Sequence, residues 1–273
     1  MTELTKRILF AVPAAAFFLI ITWLGGFYFV GLIILVALFI QRELAMLAAG
    51  AGFEPDNLFP YTIGLWILLS PYLPHALAIG MGIFLLFIAI QIFKSGDHAL
   101  RQVIGTFFCG IYAPLGLLGI ILIRNTGAAE VGFALAMGLL LMVWGNDIFA
   151  YFGGKYLGKR KLAPAISPNK TWEGFFFGIL GAGAGLTIAY YAVPVVLPVS
   201  LLALAPAALL ISVFGPIGDL TASRIKRAAN AKDASDILPG HGGFFDRFDA
   251  LILASPVCYL YIYALNILGY ASF

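Results

Sequence analysis

The sequence predicts an all-α, polytopic integral membrane protein of about nine transmembrane helices, with a cytoplasm-facing polar site formed by its C-terminal helices. Three observations carry this. Only 11% of the 273 residues are charged and 62% are hydrophobic, whereas soluble domains carry about 25% charged residues. So little charge cannot wet the surface of a globule this size, and disorder needs the opposite composition. Apolar runs near the length a bilayer demands, about 20 residues, recur from end to end. The cations sort to one side of those runs. The net charge of +3 gives no reason to expect a nucleic-acid partner.

In chain order, Lys6-Arg7 precede an apolar run at 8–24. It resembles a signal peptide, but Trp23, Leu24, Gly25 and Gly26 make a poor cleavage site, so it reads as a retained first helix. Further runs follow at 27–41, 59–74, 76–93, 102–123, 130–150, 174–193, 199–218 and 250–270. The third is short and the fifth contains Pro114. The stretch from Glu43 to Phe59 reads as an interfacial re-entry. With the N-terminus in the cytoplasm, every lysine and arginine except Arg124 falls on the cytoplasmic side, as the positive-inside rule requires. The expected location is the inner (cytoplasmic) membrane, with the N-terminus and the long loops in the cytoplasm. Residues 1–125 form an N-terminal region of about five spans with little polar chemistry. Residues 126–273 form a C-terminal, catalytic region with long cytoplasmic loops at 153–173 and 223–248. Cys109 and Cys258 sit in apolar runs and read as small buried hydrophobes, not a disulfide.

Some motifs mislead. Gly153 to Lys159 matches most of a phosphate-binding P-loop, but Arg160 stands where a Ser or Thr is needed and no strand precedes it. The glycines of Gly181 to Gly185 read as small residues that let helices approach closely. His75 and His98 are isolated, and Trp23, Trp66, Trp144 and Trp172 suit helix ends.

The C-terminal loop is different. Gly218 to Asp249 holds Asp219, Asp233, Asp236, Asp246 and Asp249 among Arg224, Lys226, Arg227, Lys232 and Arg247. A topological anchor explains the cations but not acids bordering apolar helices, where a charge costs about 2.5–3.5 kcal/mol and marks a functional candidate. On a helix Asp219 and Ser223 share a face, and Lys226 and Arg227 follow one turn on. Asp246 and Asp249 share a face at the start of the last helix. Hard oxygen ligands suit Mg²⁺ with substrate phosphates. Pro239 to Gly243 supplies a pliable turn whose amides can approach phosphate. Ser167-Pro168-Asn169-Lys170-Thr171-Trp172-Glu173-Gly174 opens the seventh helix, with Thr171 or Ser167 placed to cap it. Lys170 beside that N-terminus makes an anion site. Asp147 is a further intramembrane carboxylate. These parts point to phosphoryl or nucleotidyl transfer by positioning and electrostatics.

The run Ser223-x-Ile225-Lys226-Arg227-x4-Lys232-Asp233-x-Ser235-x2-Leu238-Pro239-x-His241-Gly242-Gly243-Phe244-x-Asp246-Arg247-Phe248-Asp249 resembles the signature of the CDP-diacylglycerol synthase (phosphatidate cytidylyltransferase) family. Blocks around Asp147-x-x-Ala150-Tyr151-x-x-Gly154 and Ser167 to Gly174 are similar to that family too, in the same order. The resemblance implies CTP and phosphatidic acid as substrates, membrane lipids as surroundings and a homodimer. It implies Mg²⁺ held by Asp219 and Asp246 with support from Asp249, and leaves open a second cation, monovalent or divalent. Asp219, Asp246, Lys226 and Ser223 are then the catalytic set. Ser167, Asn169, Lys170, Thr171, Asp147, Arg227, Lys232, Asp233, His241, Gly242, Gly243 and Arg247 are the substrate-binding set. A CTP-dependent polyprenol kinase is the nearest alternative. A transporter would need polar residues at mid-membrane, and the charges cluster at helix ends.

Overall fold

The computed structural model describes residues 3–93, 99–195, 197–238 and 242–273. Within them the chain is almost wholly helical. The helices are α1 (Glu3–Leu24), α2 (Gly26–Gly50), α3 (Phe59–Leu69), α4 (Ala76–Phe93), α5 (Ala99–Arg124), α6 (Ala129–Leu157), α7 (Trp172–Ala192), α8 (Leu201–Ala228) and α9 (Phe245–Ile267). The single sheet among the described residues is a hairpin of β1 (Lys161–Ala163) and β2 (Ser167–Thr171), paired antiparallel. The polytopic all-α reading therefore holds. Six helices, α2 and α5 to α9, are long and apolar enough to cross a membrane. The apolar parts of α1 and α4 are shorter. At 11 residues, α3 rises about 16 Å, half a bilayer core. It ends in a 3₁₀ turn at Ser70–Tyr72, where Pro71 has no N–H to extend an α-helix.

Prolines inside α1, α5, α8 and α9 do not end those helices; neighbouring packing re-satisfies the freed groups in membranes. Ser200 and Thr171 start α8 and α7 by accepting the Ala203 and Gly174 N–H groups, at 3.2 and 3.1 Å. Fully buried Ile33, Ile40, Leu44, Leu117, Ile120 and Leu139 make the centre. Phe27, Leu77, Leu202 and Leu260 are among the outward apolar side chains. Cys109 and Cys258 are free and buried, as read from their surroundings.

Small residues set the helix approaches. A Cβ on Gly181 would lie 2.1 Å from the Gly145 carbonyl oxygen, and one on Gly185 would lie 2.2 Å from that of Leu141. Hence α6 and α7 touch backbone to backbone, as expected of the glycine run. On the other side, a Cβ on Gly218 would lie 2.4 Å from the Asp249 carbonyl oxygen, so α8 and α9 meet closely beside two predicted site acids.

Three boundaries differ from the sequence reading. α2 runs unbroken to Gly50, so Glu43 is a helical residue, fully buried, and the re-entry is confined to the connection before α3. The loop at 153–173 is shorter, because α6 continues to Leu157 and a β-hairpin follows. Gly153 and Gly154 are thus helical, and pack against Phe177 and Thr171. The loop at 223–248 shrinks likewise, since α8 reaches Ala228 and α9 starts at Phe245.

Arg124, the cation that the sequence reading sets apart from the rest, is 5% exposed. Its guanidinium donates to the carbonyls of Thr22 at 2.7 Å, Trp23 at 3.1 Å and Ala129 at 3.0 Å. It caps the C-terminal turn of α1, whose last carbonyls have no intrahelical donors. Gly25 (φ +65°) leaves room for it: a Cβ there would lie 2.2 Å from Nη2.

Candidate active site

The Thr171 cap fixes where β2 hands over to α7. Glu173 Oε2 accepts from the Lys159 and Arg160 backbone N–H groups at 3.0 and 3.2 Å, and Trp172 N–H donates to the Arg160 carbonyl at 2.9 Å. These bonds bind the hairpin to its helix. Lys170, one residue before the cap, then reaches α8. Its ammonium pairs with Asp219 Oδ2 at 2.6 Å and donates to the Pro216 carbonyl at 3.4 Å. Ser223 Oγ donates to the other Asp219 oxygen at 3.4 Å, the one-face arrangement that the four-residue spacing predicts.

These residues border a cavity of about 650 Å³ between α6, the hairpin, α7 and α8. Asp147, Asn169, Lys170, Thr171 and Asp219 line it, all named from sequence. So do Asn146, Lys155 and Lys161, which were not, and Tyr151, quoted in the resemblance without a role. Lys155 Nζ lies 5.7 Å from the ring centroids of both Tyr151 and Tyr156, within cation–π range. Asn146 is 2% exposed and bonds Asp147, while its Oδ1 has no partner among the described residues. Ser167, at the far end of β2, is not among the lining residues.

A second group lies at the start of α9. Lys226 and Asp246 form an ion pair with side chains only 12% and 6% exposed. Asp246 Oδ2 also accepts the backbone N–H groups of Ala234 and Gly243, at 2.9 and 3.0 Å. Asp246 thus folds the loop ahead of its own helix. The Gly243 amide, expected on phosphate, is already taken by that carboxylate. Gly242 adopts φ +74°, a conformation that favours glycine, and its carbonyl accepts from Leu238 N–H at 3.0 Å.

Asp249, one turn on, joins the two groups. It interacts electrostatically with Asp219, Asp147 and Lys226, and Asp147 does so with Asp219 and Lys170. Acids from α6, α8 and α9 and two lysines therefore lie within electrostatic range of one another. Other predicted residues stand apart. Arg227 is exposed and donates to the Ala231 carbonyl at 3.1 Å, closing its own helix. Lys232, Asp233 and Arg247 are exposed. His241 lies outside the described residues.

Among the described residues, no three His, Cys, Asp or Glu side chains stand close enough together to hold a metal ion as placed. The donor chemistry nevertheless fits one. The acids offer hard oxygens of the kind Mg²⁺ prefers. Each predicted ligand, Asp219 and Asp246, already holds a cation in the form of a lysine ammonium.

Two participants come from the N-terminal helices. Glu43 on α2 accepts from Ser235 Oγ at 2.5 Å and from the N–H groups of Phe244 and Phe245 at 3.0 and 2.7 Å. Tyr112 on α5 packs edge-on against Phe245, with ring centroids 6.2 Å apart. Its buried hydroxyl has no partner among the described residues and lies within electrostatic range of Asp249. An acid inside an apolar helical run was the available signal for Glu43; nothing in sequence marks Tyr112.

A protein from Brucella abortus named phosphatidate cytidylyltransferase is 35% identical over 269 residues, covering 96% of this chain and 94% of its own. One of that name from Bacillus subtilis is 33% identical over 276 residues, covering 95% and 97%. Another, from Pseudomonas aeruginosa, is 44% identical over 139 residues, about half of each chain at 51% and 50%. The family model described as "Cytidylyltransferase family" matches residues 5–265. Matched over nearly its whole length, the chain belongs to the cytidylyltransferase family.

Proposed function

We propose that this chain is a phosphatidate cytidylyltransferase, converting CTP and phosphatidic acid to CDP-diacylglycerol and pyrophosphate. The supporting observation is the cavity. Lys170 and Asp219 pair on its wall, Asp147 lines it, and the outward rings of Phe152 and Phe176 lie on the adjoining turns of α6 and α7. A soluble triphosphate and a lipid phosphate have to meet where charge and lipid-facing surface adjoin.

An oxygen of the phosphatidate phosphate attacks the α-phosphorus of CTP in line. The new P–O bond forms as the bond to the β-phosphate bridge breaks, and pyrophosphate leaves with the electron pair. The attacking monoester is already anionic near neutral pH, so no general base is needed. Lys170, with Lys155 and Lys161 on the cavity wall, offsets charge gathering on the phosphates. Ser223 and the Gly242 amide orient phosphate oxygens. Lys226 holds Asp246, and Arg227, Lys232 and Arg247 draw the anionic substrates toward the loop. Asp219, Asp246 and Asp249, with Asp147 beside them, would hold Mg²⁺; when bound it supplies positive charge against the triphosphate. Sorting of the cations supports an inner-membrane placement with the N-terminus and loops in the cytoplasm, and the homodimer belongs to the same reading.

The test is purified protein with Mg²⁺, α-labelled CTP and phosphatidate in detergent micelles. Label entering the lipid supports the proposal. Release of labelled CDP with no label in lipid refutes it and favours γ-phosphoryl transfer.

A further inference from the structure

We infer that Glu43 is a positioning residue for the transfer reaction: from the C-terminal half of α2 it holds the backbone that presents Asp246 to Lys226. This rests on the cytidylyltransferase reading above. Glu43 is fully buried, and its known partners are all donors from one short stretch about 200 residues away. Two are the Phe244 and Phe245 N–H groups at the start of α9. The first N–H groups of a helix have no partner within it, and Phe244 provides no side-chain cap for α9. The cap comes instead from the Glu43 carboxylate on another helix, a negative charge against the positive end of α9.

The same stretch carries the site. Gly243 N–H, adjacent to the capped Phe244, donates to Asp246 at 3.0 Å, and Ala234 N–H, adjacent to Ser235, donates to it at 2.9 Å. Glu43 therefore holds the neighbour of each backbone group that holds Asp246. A Cβ on Gly243 would lie 2.6 Å from Glu43 Oε1, so the carboxylate occupies the space a side chain would need. Among the described residues, Glu43 neither lines the cavity nor bonds the Lys226 ammonium, which pairs with Asp246. It acts through the backbone, and its loss shifts Asp246 without removing it.

Glu43→Gln keeps one carbonyl-type acceptor but turns an amide N–H₂ toward a backbone donor. Ser235→Ala removes one of the three donors and leaves the α9 cap. The readouts are kcat and both KM values per folded protein, and hydrogen exchange of the Phe244 and Phe245 amides. Wild type must first move label from CTP into lipid; if it does not, the function reading fails and this inference is not what failed. Given that activity, Glu43→Gln is expected to lower kcat about tenfold to a hundredfold, the range for a reacting group displaced by roughly an ångström. Both KM values stay within about threefold, and exchange at the two amides quickens. Ser235→Ala lowers kcat by about threefold and quickens exchange less. The Ser235→Ala arm decides alone if Glu43→Gln does not fold. Glu43→Gln with kcat within about twofold of wild type, or a loss matched wholly by lost folded protein, overturns the inference; so does unchanged kcat in Ser235→Ala.

Discussion

Removing Lys226 should harm the protein more than removing both members of its pair. Lys226 and Asp246 are 12% and 6% exposed, so Lys226→Met strands a carboxylate away from water. Breaking a buried pair from one side costs about 3–5 kcal/mol. Here Asp246 keeps the Ala234 and Gly243 N–H bonds, and hydrogen bonds to a charged group contribute about 1.5–3 kcal/mol each. The cost should therefore lie near the lower bound, about 3 kcal/mol. Adding Asp246→Asn takes away the stranded charge while its carbonyl oxygen still accepts a backbone N–H. The double variant should lose only about 1–2 kcal/mol, the size of an imperfectly replaced hydrogen bond. The assay is reversible unfolding in mixed micelles, with Asp246→Asn completing the cycle. A double variant less stable than Lys226→Met, or additive losses, would refute the claim that the two charges stabilise chiefly by compensating each other. Neither variant should turn over, because both residues belong to the proposed site.

Three further outcomes are expected. Lys170→Ala, which strips Asp219 of its 2.6 Å partner beside the cavity, should slow label transfer about a hundredfold, as for loss of one charge-stabilising donor; a loss under about threefold would remove Lys170 from the phosphate path. Arg124→Met leaves three carbonyls without donors and should cost about 2–4 kcal/mol with kcat of the folded fraction intact, measured by unfolding and by turnover per folded molecule. Gly181→Val puts carbon where only 2.1 Å separates the new Cβ from the Gly145 oxygen; it should cost about 3 kcal/mol or abolish folding, while Gly183→Val, with nothing within 4 Å, should fold normally in the same detergent assay.

Much was legible in the chain itself. Nine apolar runs appear as nine helices among the described residues, and Asp219, Ser223, Asp246 and Asp249 fall on the helix turns their spacing predicts. Thr171 was one of two offered caps, and the structure chooses it over Ser167. What failed to show was long range. The sequence puts Glu43 in an interfacial segment, because its donors are encoded about 200 residues later and nothing nearby shows them. Lys155 and Lys161 looked like topology anchors, and only the hairpin's return toward α8 makes them cavity wall.

The division has a physical cause. Burial of a helix in lipid is a sum over neighbouring residues, with every backbone group satisfied inside the segment; composition and period therefore determined the membrane class, the helices and the faces carrying acids. Charge pairing depends on distances between helices. Those distances were decided by contacts such as Gly145 on Gly181 and Gly218 on Asp249, where a missing Cβ lets backbones meet. That is why the sequence could name Asp147, Asp219, Asp246 and Asp249 as candidates, and only the tertiary structure could set Lys170 on Asp219, Lys226 on Asp246 and Glu43 on the backbone around Asp246.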